Sequence, residues 1–222
     1  SLGGRLLSNN KVKLGGLYDY RIQLRETDHI ILLGCGTSYY AGSVGAHIMK
    51  HFSLFKSIQT IDGSDFDIID IPRQGKTAII FLSQSGETRD LHRCIDIAKQ
   101  SGSLCIGVVN VVDSMIAREV DCGCYINAGR EVGVASTKSF TSQVLLLIML
   151  SIYFAQIQNI QERKRIQLIK DLRKFSKDVE DTLHYIEDTI TEDSEVLSLF
   201  DNKEHCFILG KGIGEYIAKE DR

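Results

Sequence analysis

Hydroxyl, amide and glycine residues crowd into three short segments, each placed directly after an apolar run. The segments are GCGTS (34–38), SQSGET (83–88) and INAGREVGVASTK (126–138). Serine and threonine hydroxyls around a helix N-terminus can hold a phosphate without lysine or arginine, because backbone N–H groups there lack partners and the helix dipole is positive. The residue types therefore favour binding of a phosphate ester, with an ordinary serine-rich helix cap as the alternative. Glu87 would repel a phosphate, so we expect its carboxylate to point away and bind a neighbouring backbone group.

The first segment also invites comparison with nucleotide-binding motifs. Gly34 and Gly36 match the start of the dinucleotide fingerprint G-x-G-x-x-G, but Tyr39 occupies the third glycine position and Asp62 is only loosely placed to hold a ribose. A tight strand-to-helix corner with Ser38 as the helix cap is the simpler interpretation. A Walker P-loop is excluded, because the sequence contains no G-x-x-x-x-G-K-S/T.

The elements that must position these segments alternate between strands and helices. Short, nearly continuous apolar runs are typical of buried parallel strands, and they are followed by stretches with helical periodicity. We predict an α/β fold of three layers, in which a five-stranded parallel sheet is flanked by helices and followed by a helical connector. Carboxyl ends of parallel strands share one edge, so the three segments should lie on one rim. The predicted strands are 29–34, 57–62, 77–83, 104–110 and 122–127, and the main helices are 38–52, 88–101, 137–156 and 160–190.

Composition describes an ordinary globular chain. Its 222 residues are 43% hydrophobic and 25% charged, with a formal net charge of −3. So small a charge gives no electrostatic reason to expect nucleic acid or membrane partners. The apolar stretch VLLLIMLSIYFA (144–155) is short for a bilayer span and predicts a core or interface helix.

The cysteines and histidines read as structural. Six cysteines lack framework spacing, and several fall in apolar runs such as SLCIGVV and HCFILG, so we expect reduced, buried thiols in a cytoplasmic protein. Cys122 and Cys124 have no second ligand pair, and we predict no metal site. The six histidines, including His47 and His51, fall in strand or helix patterns, where a structural role is expected.

The stretches LGCGTSYYAG, FLSQSGETRD and INAGREVGVASTKSFTSQ together resemble the sugar isomerase (SIS) domain of the glutamine–fructose-6-phosphate aminotransferase family. The resemblance spans nearly the whole chain. It implies binding of fructose 6-phosphate or glucosamine 6-phosphate, with no cofactor. The phosphate would be held by the second segment, and the sugar would be lined by the first and third. The implied site residues are Cys35, Gly36, Thr37, Ser38, Ser83, Gln84, Ser85, Gly86, Thr88, Val134, Ala135 and Ser136.

The resemblance also implies how the chain is divided. Residues 1–28 would be a lead-in, 29–158 the first SIS domain, 159–204 a helical connector and 205–222 the start of a truncated second SIS domain. The glutaminase domain of the family would be missing. The family's isomerase residues, which are a proton-transferring glutamate, a Schiff-base lysine and a ring-opening histidine, would follow residue 222. No catalytic residue is therefore assigned, and the chain alone is expected to be inactive.

Two further expectations concern alternatives and assembly. A non-catalytic sugar-phosphate-sensing SIS module is the alternative function, and the sequence after residue 222 would distinguish the two. The helix near 137–155 carries apolar residues in unbroken succession over 144–150, which implies a second buried surface beyond one sheet face. Since the family pairs through its isomerase regions, we expect a homodimer that buries part of this helix, with burial inside the chain as the alternative.

Overall fold

A five-stranded, fully parallel sheet forms the centre of the protein. The computed structural model describes residues 2–131, 136–190 and 195–220. Its strands lie in the order β2-β1-β3-β4-β5, and the predicted α/β fold is confirmed. The five strands are β1 His29–Gly34, β2 Ser57–Asp62, β3 Thr77–Ser83, β4 Leu104–Val109 and β5 Cys122–Tyr125. The last two of them, β4 and β5, end slightly earlier than predicted.

Helices cover both faces of the sheet. Alternate strand residues face opposite sides, so Ile30 and Leu32 of β1 join one buried cluster while Ile31 and Leu33 join the other. Every residue of the central strand β3 is buried, as expected for a strand covered on both faces. The helices in the described residues are α1 Arg21–Arg25, α2 Thr37–Lys50, α3 Arg89–Gln100, α4 Met115–Glu119, α5 Lys138–Ile157, α6 Glu162–Thr189, α7 Glu195–Ser198 and α8 Ile213–Glu220.

Most of the apolar surface around α5 is buried by other parts of the same chain. This helix packs against α2 and α6, and most of its apolar side chains are buried. The approach of α2 is close at Gly45, where an added Cβ would lie 2.5 Å from Leu147 Cδ1. By length and composition α5 could cross a membrane, but 61% of its most apolar 18-residue stretch is buried within the protein. The second buried surface that the sequence implied is thus supplied by neighbouring helices.

Part of the α5 surface remains only half-buried. Val144 and Ile148 line an apolar groove of about 320 Å³, together with Val44 of α2, Leu168 of α6 and Ile217 of α8. The helix therefore does not by itself require a partner chain, although this groove leaves room for one.

The apolar run HCFILG (205–210) differs from the strand-like interpretation of its sequence. It forms no strand among the described residues, and Phe207 and Leu209 are 86% and 90% exposed. The expectation of a buried thiol is consequently wrong for Cys206, which is exposed because no described strand pairs with this run. Cys94, Cys105 and Cys122 are buried as predicted, and burial raises their pKa values to about 11, about 12 and about 12.

Candidate functional site

The first two hydroxyl-rich segments lie at the point in the sheet where the order of strand addition reverses. From β1 the chain goes to β2 on one side, whereas β3 lies on the other side of β1. In open α/β sheets of the order 2-1-3-4-5, ligands bind outside the carboxyl ends of the strands at this switch point. The segments 34–38 and 83–88 follow β1 and β3 directly, so both border the same crevice.

Two hydroxyls of the second segment hold the loop in shape. Ser83 is buried, and its Oγ accepts the N–H of Gly86 at 2.9 Å and pairs with Thr88 Oγ1 at 2.9 Å. Because Thr88 is occupied by this contact, it makes no side-chain cap to α3, although it is the residue that precedes the helix. Among the described residues, the N–H groups of Arg89 and Asp90 make no hydrogen bond, whereas that of Leu91 donates to the carbonyl of Thr88 at 3.1 Å, so two N–H groups at the start of α3 are open to an anion.

Two other side chains of this loop keep hydrogen-bonding capacity. Ser85 Oγ accepts the N–H of Glu87 at 3.1 Å, and its own proton has no acceptor within the described part of the chain. Gln84 is half-buried, and no hydrogen bond of its amide is found among the same residues. Both groups can therefore contact a ligand directly.

The loop is anchored to the start of α4. Gly86 has φ +70°, and a Cβ added there would lie 2.0 Å from Ser114 Oγ, so this position requires glycine. The carbonyl of Gly86 accepts the N–H of Ile116 at 3.0 Å. Glu87 Oε1 accepts the N–H of Met115 at 2.9 Å, which confirms that its carboxylate points away from the loop.

The first segment turns sharply at Gly36. This residue has φ +54° and precedes α2, which begins at Thr37. Ser38 is therefore the second helical residue, and the prediction that it caps the helix is wrong. Its Oγ instead accepts Gln143 Nε2 of α5 at 3.0 Å, which ties the two helices together beside the crevice.

The side chain of Cys35 is half-buried. A Cβ added to Gly63 would lie 3.0 Å from its Sγ, and the side chain packs beside the buried cluster that includes Leu91. Burial, followed by the charge of Asp62, raises the pKa of this thiol. The thiol of Cys35 therefore stays protonated near neutral pH and brings no charge to a ligand in the crevice.

Glu220 reaches the site from the far end of the chain. Thr37 Oγ1 donates to Glu220 Oε1 at 2.6 Å, and both residues are half-buried. The sequence interpretation assigned no role to Glu220. Its helical pattern could not reveal which loop α8 packs against, because the contact joins residues 183 positions apart.

The third segment is fixed at both described ends. Asn110, directly after β4, donates to the carbonyl of Gly129 at 2.8 Å and accepts the N–H of Ala128 at 2.9 Å. Further along, the carboxylate of Glu131 binds the start of α5. It accepts Ser136 Oγ at 3.0 Å, Ser139 Oγ at 2.5 Å and the N–H of Lys138 at 2.8 Å.

These contacts determine the charge state of Glu131. Burial tends to raise its pKa, but the hydrogen bonds from Ser139, Ser136 and the backbone together lower it below its usual value. Ser136 is thus engaged by Glu131 rather than free. Val134 and Ala135, also predicted to contact the sugar, lie outside the described residues.

The described residues contain no group of three or more histidine, cysteine, aspartate or glutamate side chains that could hold a metal ion. The candidate site consists instead of hydroxyls, amides and helix ends, which can bind and orient a polar anionic ligand, together with the carboxylate of Glu220 at Thr37.

Comparison with known proteins identifies related sequences and folds. The family model described as the SIS domain matches residues 23–153. A probable glutamine–fructose-6-phosphate aminotransferase (isomerizing) of Acanthamoeba polyphaga mimivirus is 44% identical over 201 residues, which is 90% of this chain and 32% of that protein. Human glutamine–fructose-6-phosphate aminotransferase (isomerizing) 2 is 35% identical over 184 residues, covering 82% of this chain and 27% of its own length.

Among solved structures, the C-terminal domain of glucosamine-fructose-6-phosphate aminotransferase from Francisella tularensis superposes with a TM-score of 0.83 at 25% identity. The match covers 97% of this chain and 59% of the other. The present chain spans about a third of the length of the curated relatives it matches.

Proposed function

The chain belongs to the SIS domain family, and on that premise we propose that it binds a hexose 6-phosphate in the crevice between β1 and β3. We further propose that it serves as the isomerase part of a glutamine–fructose-6-phosphate aminotransferase, whose reaction forms glucosamine 6-phosphate from fructose 6-phosphate and glutamine-derived ammonia. The relatives that carry this name support the second step.

The observation that carries the proposal is the pairing of an uncapped helix end with uncommitted polar groups at the switch point. Ser85 and Gln84 have free hydrogen-bonding capacity beside the start of α3. We assign the phosphate to this position, where charge-assisted hydrogen bonds are strongest. Ser83, Gly86 and Thr88 give the loop its shape.

The sugar would extend toward α2. Thr37 and Ser38 lie at the start of that helix, with Cys35 and Gly36 behind them. The third segment, with Val134, Ala135 and Ser136, would close the other side. Hydroxyls and amides are poor general bases near neutral pH, so we assign these residues to binding and orientation of the sugar rather than to proton transfer.

We also propose that the protein is cytoplasmic and forms a homodimer. The abundance of free, buried thiols supports a reducing compartment. The half-buried groove beside Val144 and Ile148 supports an additional contact surface.

Calorimetric titration of the 222-residue chain tests the binding proposal. We expect saturable binding of fructose 6-phosphate and glucosamine 6-phosphate, and much weaker binding of fructose, which lacks the phosphate. Equal affinity for fructose and its 6-phosphate would show that the crevice does not recognise phosphate, and absence of binding by both sugar phosphates would reject the proposed site.

A further inference from the structure

Two histidines lie one turn apart at the end of α2 that is remote from the crevice. His47 is half-buried and His51, the residue that follows the helix, is exposed. Their Nε2 atoms are 3.3 Å apart, and the ring centroids are 5.1 Å apart with the planes inclined by 69°. Neither ring contributes to the predicted sugar-phosphate site.

This separation matches the geometry of a chelate. With a Zn–N distance of about 2.05 Å, an Nε2···Nε2 separation of 3.3 Å corresponds to an N–Zn–N angle of about 107°, close to the tetrahedral value. The centroid separation of 5.1 Å is also about what two imidazoles show when both Nε2 lone pairs point at one ion at that distance. Histidines at positions i and i+4 of a helix are a known metal-binding spacing.

We propose that His47 and His51 form a two-imidazole binding site for a divalent transition-metal ion, with Zn²⁺ as the reference ion. Imidazole nitrogen suits Zn²⁺, Ni²⁺ and Cu²⁺. The two remaining tetrahedral positions are filled by water, since the described residues contain no third histidine, cysteine or carboxylate ligand to complete the group.

Binding requires a change of tautomer. In the free pair, one Nε2–H donates to the other Nε2. With the ion bound, both Nε2 atoms carry a lone pair to the metal, and the proton moves through solvent to the Nδ1 position of the donating ring. Both imidazoles stay neutral, so coordination neither releases nor consumes a proton when the histidines are neutral beforehand.

The surroundings leave the rings accessible while the helix holds them. Met49, between the two histidines, is fully buried and fixes this turn against the core. Lys164 donates to the carbonyl of His51 rather than to its ring. The site lies about 20 Å along α2 from Thr37, given a rise of about 1.5 Å per residue, so it can be altered without touching the crevice.

The test is equilibrium titration of Zn²⁺ into the folded chain under reducing conditions. A Cys206→Ser background is used throughout, because the exposed Cys206 thiol beside His205 could compete for the ion. We expect one ion per chain. His47→Ala and His51→Ala should each weaken the affinity at least about tenfold, since loss of a direct ligand costs no less than loss of a supporting group.

His184→Ala is the matched control, because His184 is an exposed helical histidine on α6 whose only ion pair in the described residues is with Glu187. It should bind Zn²⁺ as the background does. Circular dichroism confirms that each variant is folded. Unchanged affinity in either His47→Ala or His51→Ala, an equal loss in His184→Ala, or absence of saturable binding would each overturn the proposal.

Discussion

Ser85 differs from Ser83 and Thr88 because, among the described residues, its hydroxyl pairs with no other hydroxyl. Ser83 and Thr88 bind each other, whereas the one hydrogen bond found for Ser85 in the described part of the chain is the one it accepts from the N–H of Glu87. Ser85→Ala should therefore weaken fructose 6-phosphate binding while leaving the fold intact. Losing one hydrogen bond to a charged group costs about 1.5–3 kcal/mol, or about tenfold or more in affinity, as measured by titration calorimetry.

Ser176→Ala is a suitable control, because Ser176 is exposed on α6, away from the sheet edge. Its affinity for the sugar phosphate should equal that of the unmodified chain. If Ser85→Ala binds fructose 6-phosphate as tightly as this control does, the phosphate lies elsewhere.

A substitution at Gly86 tests how the same loop is anchored to the start of α4. Gly86→Ala forces a Cβ to within 2.0 Å of Ser114 Oγ at a φ of +70°, which is unfavourable for any residue with a side chain. We expect a loss of unfolding free energy of at least about 1–3 kcal/mol in urea denaturation.

Adding Ser114→Gly to Gly86→Ala separates the two causes. The double variant removes the clash but keeps the backbone strain, so it should recover part of the lost stability and remain about 1–2 kcal/mol below the unmodified chain. A double variant that recovers nothing would contradict the assigned contact with Ser114.

At the scale of elements, Glu131 acts as the cap of α5 across the third segment. Glu131→Gln keeps the shape but removes the charge and one acceptor from a group that binds Ser136, Ser139 and Lys138. We expect a loss of about 1–2 kcal/mol of unfolding free energy near neutral pH, measured against Glu180→Gln, whose side chain is exposed on α6.

The pH dependence follows from the lowered pKa of Glu131 in the folded chain. Its stabilising contribution is fully present above the unfolded value of about 4.3 and is lost as the pH falls through the lower folded value. The stability difference between the unmodified chain and Glu131→Gln should therefore shrink below about pH 4.3. A difference that stays constant through this range would show that ionised Glu131 does not hold the helix.

Sequence patterns predicted the strands well because local physics determines them. Each strand of a sheet covered on both faces is a short apolar run, and TAIIFLS (77–83) coincides with β3. The placement of the first two loops on one rim of the sheet also follows from the predicted parallel strands. Their adjacency on β1 and β3 could not be read from the sequence, because strand order depends on how the helices pack.

The contacts within the site were harder to predict because they join distant residues. Ser38 looks like a helix cap by local rules, yet it binds Gln143, which is 105 positions away. The positive φ of Gly36 moves the helix start so that Ser38 falls inside it. Glu131 was not singled out in its glycine-rich loop, and only the position of α5 reveals what it binds.

At the scale of the whole molecule, the oligomeric state tests whether the exposed part of α5 is an interface between two chains. We propose a homodimer, so light scattering at micromolar concentration should give a mass near twice the 24.8 kDa of one chain. Ile148→Asp places a charge in the apolar groove and should yield a monomer. A constant mass of 24.8 kDa on concentration would contradict the dimer, and a dimer that survives Ile148→Asp would place its interface elsewhere.

The exposed run around Cys206 has a chemical consequence for handling the protein. Cys206 and the next residue, Phe207, are both exposed, whereas Cys94, Cys105 and Cys122 are buried. Two chains that associate through this exposed apolar run bring two accessible thiols together. Air oxidation can then join the thiols in a disulfide. Such oxidation would give a disulfide-linked dimer that differs from the proposed homodimer. It would disappear on reduction and would not form in Cys206→Ser.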